Sequence, residues 1–283
     1  MTGFLIVDKP KGITSHTVVS EVRKLTGNRY KVGHTGTLDP LATGVLILAV
    51  GKATRLSKYL LKKDKVYRVK GRFGLASPTY DIDGELSSVN CPEISKDRFL
   101  SVLLLFTGKI NQVPPPYSAV RIGGKRAYQL AREGKEVELP PRSVEVYSLD
   151  LVSYSYPDFE LLIHCSSGTY IRSLVHDIGE SLKCSAVVVE LRRTCVGNIC
   201  EDRAVPLNLL KKKGIEPFLL PPHEVLEFPV VTLTEKEEKL FRNGVFIRRE
   251  LPQGLYSVLS HSGKFLGVGK SNGETVKPET VIS

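Results

Sequence analysis

The stretch GHTGTLDPLATGVL, residues 33–46, decides how the rest of this chain is read. It holds a single acid, Asp39, directly before Pro40 and among Gly33, Gly36, Gly44, Thr35, Thr37, Thr43 and His34. A residue before proline is pushed out of helical and into extended backbone. The glycines let the chain turn sharply on either side. From Val45 the sequence runs on as VLILAV to Val50, an unbroken apolar segment that predicts a buried strand. The pattern therefore places one carboxylate on a loop braced by a core strand, a common way to present a reactive group. An isolated Asp-Pro is usually a turn and nothing more, because aspartate is a favoured turn former. The residues around it carry the distinction.

Composition narrows the classes. A chain of 283 residues can bury a full core, as one large or two smaller domains. With 41% hydrophobic and 25% charged residues it has the make-up of a soluble globular protein. Its net charge of +10 points to a polyanionic partner. The charge is local: Lys52, Arg55, Lys58, Lys62, Lys63, Lys65, Arg68, Lys70 and Arg72 face only Asp64 in their stretch. Such a run directly after the Asp39 loop reads as a phosphate-binding track. A second basic stretch, Tyr117 to Arg142, carries Arg121, Lys125, Arg126, Arg132, Lys135 and Arg142 against Glu133, Glu136 and Glu138.

Other classes are excluded by what is missing. The longest apolar run, FLSVLLLF at 99–106, is too short to span a bilayer, so no membrane partner is expected. The start, FLIVDKPKG, is interrupted by Asp8 and Lys9 and does not form a secretory core. Five cysteines without a CxxC pair read as reduced thiols of a cytoplasmic protein. The histidines show no HExxH or paired Cys/His spacing, so no metal is expected. No Walker A motif or dinucleotide fingerprint is present, and no cofactor is expected.

Periodicity gives the elements. FLIV (4–7) predicts a strand, and a helix capped by Thr14 or Ser15 runs to Leu25. A second helix is predicted from about Ala53 to Lys63. KVYRVKGRFG alternates as a strand, with Val66, Arg68, Lys70 and Arg72 opposite Tyr67, Val69, Gly71 and Phe73. Residues 75–94 read as a loop and 95–106 as a helix. KRAYQLAREG predicts a short helix in an excursion bounded by the prolines at 114–116 and 140–141. Strands follow at 143–154 and 159–167, a helix in GTYIRSLVHDIGESL, and a strand in AVVVELRRTCVG. Strands that do not strictly alternate with helices predict an α+β domain with a mixed sheet. The proline-rich residues 217–230 mark a boundary between domains 1–227 and 228–283. The second of these carries eight basic residues against six acidic ones, so the basic character lies mostly in the first.

The Asp39 stretch, together with FLIVDKPKGITS (4–15), KVYRVKGRFG (65–74), PPPYSAVRIGGKRAYQLAREG (114–134), GTYIRSLVHDIG (168–179) and LRRTCVG (191–197), closely resembles the TruB branch of the pseudouridine synthases, the tRNA pseudouridine-55 synthases. The motifs occur in the family's order. The resemblance implies a mixed-sheet catalytic domain with an RNA-gripping insertion at about 117–142, followed by a small PUA-like β-barrel. It implies a stand-alone, monomeric enzyme that isomerises the T-loop uridine of tRNA without a guide RNA. The resemblance assigns Asp39 as the nucleophile, with attack on the sugar C1′ or the base C6 left open. It assigns Arg172 to pair with that aspartate and Tyr67 to stack on the target base and serve as acid or base. His34 fills the space of the flipped base, Tyr170 and Leu191 line the pocket, and Lys9 and Pro10 support the loop. Lys62, Lys63 and Arg68, with Arg121, Lys125 and Arg126 of the insertion, are the expected RNA contacts. Two rival readings share much of this pattern. One is the catalytic subunit of a guide-RNA-directed complex; the other is a tRNA-folding factor.

Overall fold

A computed structural model describes residues 1–118, 120–134 and 139–282. The chain divides into two compact units, Met1–Asp39, Val45–Leu61 and Glu201–Ser283 in the first, Pro40–Gly44 and Lys62–Cys200 in the second. Both interrupt the chain order, and the break between Asp39 and Pro40 falls inside the stretch of residues 33–46.

In the first unit, Gly3–Lys9 pairs in parallel with Val205–Pro206 on one side, and the strand Thr43–Val50, which belongs to this unit from Val45 onward, lies on the other. Val32–His34 runs antiparallel to that last strand, with His34 opposite Leu48. Val45 to Val50 are all fully buried, as a continuous apolar run in the middle of a sheet requires. The helix Ser15–Leu25 starts where Thr14 Oγ1 accepts from the Thr17 amide and buries Val18, Val19 and Val22. The predicted helix at 53–63 is replaced by a 3-10 segment, Gly51–Leu56, and a short α-helix, Ser57–Leu61. Gly51 has φ +65, and a Cβ there would lie 2.2 Å from the Met1 carbonyl oxygen, so the segment enters through a turn open only to glycine. The tight 3-10 winding then aligns Ala53 and Leu56, three residues apart, on the buried side.

The same unit holds the C-terminal strands. Val230–Thr232 runs parallel to Ile247–Leu259, which pairs antiparallel with Phe265–Val281. The helix Glu235–Arg242 is closed by a capping box between Thr234 and Glu237. Val231, Leu233, Phe241, Ile247, Tyr256, Val258 and Leu266 form its core. Among the described residues this is a three-stranded sheet with one helix.

The second unit is built on antiparallel strands in the order Ala186–Val196, Lys65–Phe73, Asp158–Cys165, Arg142–Ser155, Gly108–Gln112. Thr43 and Gly44 add to it by pairing in parallel with Arg192 and Arg193. Parallel and antiparallel pairs together make the mixed sheet of an α+β protein. Tyr67, Val69, Gly71 and Phe73 are buried, whereas Arg68, Lys70 and Arg72 are exposed, as the alternation predicts. Phe73, Phe99 and Phe159 meet with ring centroids 4.6–5.2 Å apart. The helix Ile171–Ser181 packs on the strand Ala186–Val196 and buries Ile171, Leu174, Val175 and Ile178.

The cysteines depart from the expectation of free thiols. Cys91 is bonded to Cys184 and Cys195 to Cys200; Cys165 alone is free, and it is buried. Neither pair has CxxC spacing. Cys195 and Cys200 face each other across a hairpin, and Cys91 and Cys184 are brought together from 93 residues apart. Among the described residues, no helix is long and apolar enough to cross a membrane, and no group of three or more His, Cys, Asp or Glu side chains is placed to hold a metal ion.

Candidate active site

The Asp39 loop is braced from the first strand. Lys9, fully buried, donates to the carbonyls of Pro10 at 2.9 Å and Ile13 at 2.7 Å. Those bonds satisfy a charge that could not otherwise be buried, and they shape the turn that delivers Thr14 and Ser15 to the start of their helix. Ser15 Oγ then donates to the Leu38 carbonyl at 2.9 Å and accepts from the Leu38 amide at 2.8 Å. Both backbone polar groups of the residue before Asp39 are thereby fixed. Further back, the Thr35 amide donates to the Ile47 carbonyl at 3.0 Å. Asp39 emerges half-buried from this frame, and His34 stands half-buried at the end of its short strand.

After Asp39 the chain passes to the second unit. Gly44, with φ +97, lies so close to the strand Ala186–Val196 that a Cβ would sit 2.2 Å from the Arg193 carbonyl oxygen. Leu191, buried on that strand, accepts through its carbonyl from Thr43 Oγ1 at 3.5 Å. Tyr67, buried on the adjacent strand, is in register with Arg193, and Leu191 with Val69. Lys65 beside it is buried too, and desolvation, reinforced by the Arg193 charge, lowers its pKa to about 8.

Arg172 does not meet solvent at the top of its helix; it is 5% exposed. Its guanidinium donates to the carbonyls of Thr79 at 2.9 Å and Tyr117 at 3.0 Å, and to Asp81 Oδ2 at 3.4 Å. The other Asp81 oxygen accepts from Thr79 Oγ1 at 2.6 Å and from the Asp83 amide at 3.1 Å. A buried arginine needs such partners, because an unpaired charge in the interior is strongly destabilising. Asp81 is absent from the expected site. Its signal was the sequence Asp81-Ile82-Asp83-Gly84, two acids in a stretch that otherwise reads as loop.

Tyr170, at the N-cap position of the same helix, is gripped by a second residue outside the expected site. Gln112, 1% exposed, accepts from the Tyr170 amide at 2.7 Å and donates to its carbonyl at 2.9 Å. The Tyr170 side chain packs on Val120, Ala127 and Leu139 of the insertion. There, Arg121–Ile122 and Lys125–Arg126 pair across Gly123 and Gly124, both at positive φ, and the helix Ala127–Arg132 follows. The side chains of Arg121, Lys125, Arg126 and Arg132, and residues Lys135, Glu136, Val137 and Glu138, lie outside the described ones.

The basic run of residues 52–72 acquires acidic partners in the fold. Arg72 forms a two-bond pair with Asp158 at 2.7 and 2.8 Å, Lys70 pairs with Glu190 at 2.9 Å, and Arg68 with Glu160 at 3.3 Å. Lys58 lies 3.5 Å from Glu279. The acids that meet Arg68, Lys70 and Arg72 are distant in sequence and are set beside the bases by strand register, so a count along the chain overstates the local charge. Lys62 is exposed and Lys63 half-buried at the start of the second unit.

Residues 23–171 match the N-terminal domain of the TruB family pseudouridylate synthases. The chain belongs to the TruB family. Residues 172–217 match the tRNA pseudouridylate synthase B C-terminal domain, and residues 229–282 the C-terminal domain of pseudouridine synthase II TruB. A tRNA pseudouridine synthase B of Clostridium novyi is 40% identical to this TruB-family chain, with all of both chains covered. One of Aquifex aeolicus is likewise 40% identical over the whole of both. Among solved structures, a chain of an H/ACA RNP bound to a substrate RNA containing 2'-deoxyuridine is 26% identical, with a TM-score of 0.72 over 99% of this chain and 85% of that one. As a member of the TruB family, the protein is a pseudouridine synthase of mixed-sheet α+β fold.

Proposed function

We propose that this pseudouridine synthase acts on tRNA, converting the T-loop uridine at position 55 to pseudouridine, alone and without cofactor. The observation that carries the reading is 40% identity along the entire chain to relatives named tRNA pseudouridine synthase B. In the reaction the N1–C1′ bond breaks and a C5–C1′ bond forms; C5 loses a proton and N1 gains one. Substrate and product are isomers, so no electrons enter or leave.

Asp39 is the nucleophile, through C1′ or C6, and splits one difficult exchange into two easier steps. Its support is a loop whose backbone is fixed at Leu38 by Ser15. Arg172 supplies the positive charge that pairs with the Asp39 carboxylate. Tyr67 stacks on the base and exchanges protons with it. The uridine leaves the folded loop to react, which costs a few kcal/mol of unstacking. His34 fills the gap, and Tyr170 and Leu191 line the pocket. Lys9 and Pro10 support the Asp39 loop. Phosphates are held by Lys62, Lys63 and Arg68, and by Arg121, Lys125 and Arg126 of the insertion. Residues 1–227 form the catalytic domain and 228–283 a PUA-like RNA-binding domain. The enzyme acts as a cytoplasmic monomer, and a role in tRNA folding accompanies catalysis.

The H/ACA likeness favours a second reading, a subunit that needs a guide RNA. The purified protein alone, given an unmodified tRNA transcript, separates the two. Pseudouridine at a single T-loop uridine supports the stand-alone enzyme. No product until a guide RNA is added would replace it with the second reading.

A further inference from the structure

The geometry points to the Tyr80–His176 ring stack as a positioning device for Arg172: it locks the segment Ser77–Gly84 onto the Arg172 helix and so holds the Thr79 carbonyl and the Asp81 carboxylate on one guanidinium. The inference rests on the proposed role of Arg172 in the reaction. Tyr80 stands at φ +61, a left-handed conformation that a bulky side chain rarely adopts. Such a conformation persists where its surroundings over-determine it. The result is visible on either side of it. The backbone reversal at Tyr80 lets its two neighbours, Thr79 and Asp81, both reach Arg172.

The Tyr80 ring lies flat on His176, with centroids 3.9 Å apart and planes 5° apart. His176 follows Arg172 by four residues on one helix, so both project from the same face. One face of that helix therefore grips the segment twice, by charge at Asp81 and by stacking at Tyr80. The segment is also anchored on the strand behind it. The Tyr80 carbonyl accepts from the Val188 amide at 3.1 Å, and the Ile82 amide donates to the Val188 carbonyl at 3.0 Å. It is closed on itself as well: a Cβ on Gly84 would meet Ser77 Oγ at 2.3 Å and Thr79 Oγ1 at 2.4 Å. The ring stack fixes this closed unit to the helix independently of the Arg172 charge.

The test uses Tyr80→Ser, His176→Ala, the double variant and Tyr80→Phe in the full chain. Three readouts are taken: kcat and KM on a tRNA transcript, hydrogen exchange at the Asp83 amide, and Tm. Tyr80→Ser and His176→Ala should each lower kcat about two- to tenfold, the usual weight of an aromatic pair, with little change in KM. The double variant should be no slower than the worse single one, and Tyr80→Phe should retain the activity. Asp83 exchange should quicken wherever the stack is lost. Unchanged kcat with a lowered Tm, or a Phe variant as slow as Ser, would overturn the inference. If Tyr80→Ser does not fold, His176→Ala decides alone. If the wild type makes no pseudouridine in tRNA, the proposed function fails on its own, and unchanged Asp83 exchange in the variants still refutes the positioning role.

Discussion

Gly44→Ala strikes the chain where the Asp39 loop joins the sheet of the second unit. At φ +97 an L-residue pays about 1–2 kcal/mol of left-handed strain. The new Cβ would also lie 2.2 Å from the Arg193 carbonyl oxygen and 3.0 Å from its carbonyl carbon and amide nitrogen. These are backbone atoms, so no rotamer change relieves the clash. The strands must part by about 1 Å, a displacement of the kind that adds about 1–3 kcal/mol in an overpacked core. The total, about 2–5 kcal/mol, lowers Tm by roughly 4–10 °C in a chain of this size. Parting the strands also breaks the Thr43–Arg192 and Gly44–Arg193 pairing. A shift of about 1 Å at a positioned group can cost about 10²-fold in rate. Thermal unfolding by circular dichroism and single-turnover pseudouridylation well below Tm measure the two effects. An alanine variant as stable and as fast as the wild type would refute both the tight approach and its role in fixing the loop.

Three further outcomes follow from other parts of the molecule. Burial, aided by the Glu180 charge, raises the Asp177 pKa from 3.8 to about 6. A raised folded pKa means that the stability contribution is complete below about pH 4 and is lost as pH rises through about 6. Asp177→Asn should therefore gain about 1–2 kcal/mol at pH 7, allowing for screening at a partly exposed site, and should flatten the Tm profile across that window; an unchanged profile contradicts the shift. Burial also pushes the Cys165 thiol up to about 11, and the other four cysteines are paired. Thiol titration without reductant should count no reactive group in the native protein and one after unfolding; more than one in the unfolded protein contradicts the pairing. Arg72→Ala, which removes an exposed pair with Asp158, should change stability by less than about 1 kcal/mol in urea unfolding, and a larger loss would show that the row of pairs is a cooperative network.

Much of the framework was legible because it follows from periodicity. The run Val45–Val50 read as a buried strand and is one, and the alternation from Lys65 to Phe73 correctly separated its exposed cations from its buried face. A hydroxyl at Thr14 or Ser15 marked the start of the first helix, and Thr14 is the one that caps it. What the sequence hid depends on contacts between distant segments. Asp81 and Arg172 lie 91 residues apart, and Gln112 and Tyr170 lie 58 apart. No local pattern signals the Gln112 contact, and the run Asp81-Ile82-Asp83-Gly84 marks the acid but not its distant partner. The acids that face Arg68, Lys70 and Arg72 are set there by strand register alone. The two disulfides escaped notice for the same reason. The 3-10 segment after Val50 escaped because its cause is the close passage of Gly51 by Met1.

The Asp39 carboxylate is the group proposed to perform the chemistry on tRNA. The most direct test maps pseudouridine in an unmodified tRNA transcript after incubation with wild-type protein and with Asp39→Asn, by chemical labelling and reverse transcription, with tRNA binding measured in parallel. A single new stop at the T-loop uridine is expected with the wild type. With Asp39→Asn no stop is expected, and binding persists. Pseudouridine formed at the normal rate by Asp39→Asn would contradict that role of Asp39.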